Sequence, residues 1–137
     1  MSTKKAKERR PKKNPAAQLE AGRVAFMAGN FDKARDIWMP LAEAGDAEAQ
    51  AWVGSLYANG DGVEIDDSAA FDWYVKSAEA GNVQAQSNVG AAYAMGNGVK
   101  QDNEAAVRWF ERAAENGDAH GQFNLAVLLS SGTGVAK

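Results

Sequence analysis

The stretch "AEAGDAEAQAWVGSLYANGDGV", residues 42–63, returns as "AEAGNVQAQSNVGAAYAMGNGV" from Ala78 and as "AENGDAHGQFNLAVLLSSGTGV" from Ala114. The spacing is 36 residues both times. A fixed period of this length marks an architecture of stacked units, each recurring because one unit alone cannot bury its apolar stripe. How this stretch reads therefore decides the fold.

Each unit holds two helical patterns. The first carries Ala49, Val53, Gly54 and Tyr57, then Ala85, Val89, Gly90 and Tyr93, then Gly121, Leu125, Ala126 and Leu129. The second carries Ala70, Trp73, Tyr74 and Ala78, then Ala106, Trp109, Phe110, Ala113 and Ala114, with Ala34, Ile37, Trp38, Leu41 and Ala42 one period earlier. Apolar residues at i, i+3, i+4 and i+7 form one stripe of an α-helix. Small residues at Gly54, Gly90 and Ala126, facing Ala70 and Ala106, let two backbones approach while the aromatic pairs fill the wider gaps. The product is an antiparallel helix hairpin.

The boundaries are written in capping chemistry. Gly45, Gly81 and Gly117 suit the left-handed position that ends a helix, and Asp46, Asn82 and Asp118 then cap the next one. Asp66 and Asp102 are expected to cap the second helices. The loops "NGDGVEID" and "GNGVKQD" are glycine-rich turns, with Val63 and Val99 expected to pin them to the hairpin. Gln50, Gln86 and Gln122 stand beside the apolar stripe in every copy. Their identity across copies assigns them to satisfying free backbone groups where successive hairpins join.

Gln50, Val53, Gly54, Tyr57, Gly60, Gly62 and Val63, then Asp66, Ala70, Trp73 and Tyr74, then Ala78, Glu79 and Gly81, make a pattern that closely resembles the Sel1-like repeat. That repeat is a relative of the tetratricopeptide repeat, and the resemblance covers residues 42–137. Residues 16–41, with Gly22, Gly29, Asn30, Phe31, Ala34 and Trp38, resemble a tetratricopeptide hairpin whose loop is four residues shorter. Pro40 falls inside its second helix, where a kink or an early end is expected. The resemblance implies an all-α, right-handed α-solenoid of antiparallel hairpins. Periodicity alone leads to the same stacked arrangement, of roughly seven helices between about residues 16 and 131.

Composition bounds the rest. The 137 residues are 45% hydrophobic, enough for a packed core, and contain no cysteine, which excludes disulfides and thiolate chemistry. No apolar run approaches the length of a membrane span and the N-terminus lacks a secretory h-region, so a cytoplasmic protein is expected. The net charge of −3 conceals an asymmetry: residues 1–13 hold seven bases and one acid, the remainder eight bases and seventeen acids. Residues 1–15 read as a disordered basic arm, without apolar periodicity and with two prolines. It is either a solubilising tail or, as the alternative function, a contact for nucleic acid or an anionic membrane surface.

Chemistry is scarce. His120 is the only histidine and is not repeated, so neither a hydrolytic triad nor a histidine metal cluster can be assembled. Asp61, Glu64, Asp66 and Asp67 do not follow the ligand order of a calcium loop, and the next copy offers Asn97, Asp102 and Asn103 with Lys100. The glycines of "GDGV" and "GNGV" follow helices rather than strands, against a phosphate loop. No catalytic residue, metal or cofactor is expected.

The expected function is that of a non-enzymatic interaction module, whose specificity lies where the copies disagree. Solenoids related to the tetratricopeptide repeat, as the resemblance implies, bind a peptide or protein segment on the concave wall of first helices. Mapping Gly54 onto that family's small-residue position implies a wall of Glu48, Ala51, Trp52 and Ser55, then Gln84, Ser87, Asn88 and Ala91, then His120, Phe123, Asn124 and Val127. Trp52 is either a binding anchor with an accessible face or a wedge against the first hairpin. The third copy reaches Lys137 without its second helix, so its first helix is a cap, or the chain is a fragment, or another subunit completes it. An incompletely covered strip of Leu125, Leu128 and Leu129 leads to an expectation of self-association through this last helix.

Overall fold

The structure, a computed structural model, describes residues 14–131, apart from the side chains of His120 and residues 128–131. The basic segment 1–13 lies outside the described residues, and so do the side chains of Leu128 and Leu129, on which the self-association reading partly rests. Leu125 is half-buried.

Among the described residues the chain forms seven α-helices and no strand. They are α1 (Pro15–Met27), α2 (Phe31–Glu43), α3 (Ala47–Asn59), α4 (Asp67–Glu79), α5 (Val83–Met95), α6 (Asn103–Glu115) and α7 (Ala119–Ser131). Each is 13 residues long. That is about 20 Å at 1.5 Å per residue. Their packing runs from each helix to the next in sequence, with α5 also meeting α7. None is long and apolar enough to cross a membrane.

Side-chain caps set where the helices start. Asp46, Asp66, Asn82 and Asp102 accept the backbone N–H three residues on, at 2.8–3.0 Å, from Ala49, Ala69, Ala85 and Ala105. Asn14 does the same for α1, accepting from Ala17 N–H with Pro15 in the first turn. Each cap satisfies a donor that the helix itself cannot. Helix α2 does not end at Pro40: it runs on to Glu43, matching Glu79 and Glu115 one and two periods later. Asp36 and Pro40 are both exposed, so water can reach the carbonyl that proline leaves without its helical donor.

Glycine opposite an aromatic ring sets how closely the helices of each hairpin approach. A Cβ on Gly22 would stand 2.1 Å from Trp38 Nε1, one on Gly54 2.9 Å from the Tyr74 ring, and one on Gly90 2.7 Å from the Phe110 ring. Trp38, Tyr74 and Phe110 occupy the same place in successive hairpins. Trp38 is fully buried and donates its indole N–H to Leu19 O at 3.2 Å. Around it lie Ala25, Ala34, Ala42, Ala49, Val53 and Leu56, while Ala78, Ala85 and Val89 form a second cluster.

Successive units are tied by polar side chains reaching backbone carbonyls. Gln50, Gln86 and Gln122 donate their side-chain amides to Ala42 O (3.1 Å), Ala78 O (3.2 Å) and Ala114 O (3.5 Å). These carbonyls of the last turn of the preceding helix also accept the N–H of Gly45, Gly81 and Gly117, so each glutamine takes the second lone pair. The sequence expectation for the glutamines holds in all three copies. The loops ride on the unit before. A Cβ on Gly62 would meet Phe31 at 2.8 Å and one on Gly98 would meet Asp67 O at 2.0 Å, while Arg35 donates to Gly62 O. Val63 packs against the first core cluster.

Candidate functional site: a groove along the first helices

Cavities open between α3 and α5 and between α5 and α7. The first, about 300 Å³, is lined by Glu48, Ala51, Trp52 and Ser55 of α3 and by Asn82, Gln84 and Asn88 at the start of α5. The second, about 180 Å³, includes Asp67, Phe71 and Tyr74 of α4 with Asn88, Ala91 and Met95 of α5. The third, also about 180 Å³, joins Ala91, Ala94 and Met95 to Phe110, Asn124 and Val127. Asn88 and Ala91 connect them into one groove.

Most of the wall residues read from the sequence therefore come together. Ser87 does not: it is buried, and its hydroxyl donates to Asp118 Oδ2, the oxygen that also accepts Gly121 N–H at 3.1 Å. It fixes the start of α7 rather than facing the groove. Phe123 is exposed but lines none of the three cavities, and the side chain of His120 lies outside the described residues. Asn82 and Met95 line the groove although the sequence reading did not place them there. Asn82 was legible only as a cap, and Met95 lies beyond the stripe at the exposed end of α5.

Trp52 has two environments. Its ring stacks on Trp38, with centroids 4.5 Å apart and planes 15° apart, and meets Phe26 at 5.6 Å. It also lines the first cavity, so the wedge and the groove wall are the same residue. At the second cavity, burial pushes the Tyr74 hydroxyl above its ordinary pKa, with a smaller opposing effect from a hydrogen bond to Ser55. The second-helix tryptophans are covered differently: Lys76 sits 4.4 Å over Trp73 and Arg112 sits 4.3 Å over Trp109. Among the described residues no group of three or more His, Asp or Glu is placed to hold a metal ion.

The Sel1 repeat family model matches residues 47–82, 83–118 and 119–137. Its boundaries fall on the first residues of α3, α5 and α7. No curated protein sequence gives a significant match. A Sel1 repeat protein from Oxalobacter formigenes superposes with a TM-score of 0.82 at 32% identity, over 87% of this chain and 49% of that one. The protective antigen c5321 of uropathogenic Escherichia coli gives 0.82 at 30% identity, over 88% of this chain and 27% of that one. This chain thus spans about half the length of the first relative and about a quarter of the second. Cysteine-rich protein B of Helicobacter pylori shares the fold, with a TM-score of 0.66 at 23% identity over 69% of this chain and 71% of that one. Proteins built of Sel1 repeats are in general scaffolds for protein–protein interaction and typically not enzymes. Consecutive repeats with shared caps, glycine–aromatic pairs and glutamine ties make this chain a member of the Sel1 repeat family.

Proposed function

We propose that the protein holds an extended peptide or protein segment in the groove along α3, α5 and α7. One observation carries the reading: the groove is lined where the copies differ, while the residues that build the hairpins are shared. Position 52 is Trp, Asn and Asn in successive copies, and position 48 is Glu, Gln and His. Between these, Gln84 and Asn88 offer side-chain amides, each able to donate to and accept from an extended backbone. Trp52 adds a large rigid contact surface of the kind that dominates binding energy.

Random peptides selected by display against the full chain, then measured against Asn88→Arg, test this. An arginine at that position fills the junction of the first two cavities, and binding is expected to weaken by more than about tenfold with helical content unchanged. Equal affinity for both proteins would move the binding site off the groove.

A further inference from the structure

The groove has a chemistry of its own that bears on what it selects. The linings of its three cavities include two carboxylates, Glu48 and Asp67, and no lysine or arginine. Four of the seven bases between residues 14 and 131 are engaged elsewhere. Arg23 pairs with Glu20, Arg35 with Asp32 and Asp36, and Lys76 and Arg112 lie over tryptophans of the second helices. Glu48, in the first turn of α3, makes no ion pair or side-chain hydrogen bond among the described residues. It stands four residues before Trp52, hence on the same helix face, and both line the first cavity.

Building on the groove reading, we infer that the segment bound there presents a cationic side chain, arginine or lysine, to Glu48 and Trp52. A carboxylate and an indole within one cavity supply a counter-ion and a π-face, the two groups that hold a guanidinium or ammonium. Gln84 and Asn88 contribute amide oxygens to the same cation or to the adjoining backbone. Residues 14–131 carry seventeen Asp and Glu against seven Lys and Arg, so the field of the folded part also steers a basic segment inward. An acidic segment would meet a carboxylate with no cation to offset it.

The experiment is an array of peptides with randomised flanks and a fixed central Arg, Lys, Glu or Ser, probed with the full chain, with three substituted variants and with a protein lacking residues 1–13. Arg and Lys peptides are expected to bind about tenfold more tightly than Ser peptides. Glu48→Lys should invert that preference toward Glu peptides. Glu111→Lys makes the same change in net charge on α6, outside the three cavities, and should leave the preference intact. If both variants reduce Arg binding equally, net charge alone is responsible and the inference fails. Peptide binding that Asn88→Arg abolishes but that ignores central charge overturns the inference and keeps the groove. Binding by no peptide of any class overturns both. Tighter binding by a protein lacking residues 1–13 assigns the groove to that segment of the chain itself and overturns a separate partner.

Discussion

Asn116 donates its side-chain amide to Gln86 Oε1 at 3.2 Å, whereas one repeat earlier Gln50 Oε1 is buried without a hydrogen-bond partner. The residue that corresponds to Asn116 there is Ala80, and the two have nearly the same backbone, with φ/ψ of −91°/10° and −80°/0°. Ala80→Asn is therefore expected to raise stability by about 1 kcal/mol, and Asn116→Ala to lower it by a similar amount. Denaturant melts of the two variants check both signs. Gln86→Ala removes the tie to Ala78 O as well and is expected to cost about 1–3 kcal/mol.

Gly22, Gly90 and Gly54 should be ranked by the rings beneath them. Alanine at Gly22 drives Trp38 off its bond to Leu19 and is expected to cost about 3 kcal/mol, the upper end for overpacking. Gly90→Ala and Gly54→Ala press only on the edges of Phe110 and Tyr74, and about 1–2 kcal/mol is expected for each. Thermal melts give the order, and an insensitive Gly22→Ala would mean that the first hairpin is packed more loosely than its geometry states.

Much of this was legible before any coordinates. A cap acts over three residues and a helix stripe over eight, so Asp46, Asn82 and Gly54 declare themselves locally. Contacts between units do not. Ser87 reads as a wall residue by helical phase, and only the Asp118 carboxylate, 31 residues away, turns it inward. Trp52 posed two readings because periodicity fixes a side chain's direction and not its neighbour. The stack on Trp38 joins two hairpins, and neither one's own pattern declares it.

Trp52→Ala should show both of that residue's environments. Losing the stack with Trp38 and Phe26 is expected to lower stability by about 2–3 kcal/mol. Binding of a groove peptide should fall by more than about tenfold, measured well below the melting temperature so that the two effects stay separate. Trp52→Phe should recover most of the stability. Unchanged affinity in Trp52→Ala would confine the residue to the core.

Tyr74 gives the fold a dependence on alkaline pH. Its folded pKa lies above the ordinary value of 10.0 because burial disfavours the phenolate. The sign follows: this contribution is fully present below about pH 10 and is lost as pH rises through the folded pKa. Tyr74→Phe should flatten the decline, and Phe110 at the same place in the next hairpin shows that the fold accepts the change. Paired melts between pH 8 and 11 isolate the effect from the other tyrosines and lysines.

Among the described residues each helix packs chiefly on its neighbour in sequence, and α1 is not packed against α7. Pulled from its termini, such a chain peels rather than ruptures. Hairpins come away one after another at modest force, and each finds its partner again quickly because the lost contacts lie between neighbouring helices. The protein is thus a short spring, able to lengthen under load by whole hairpins while the units still in register keep their part of the groove.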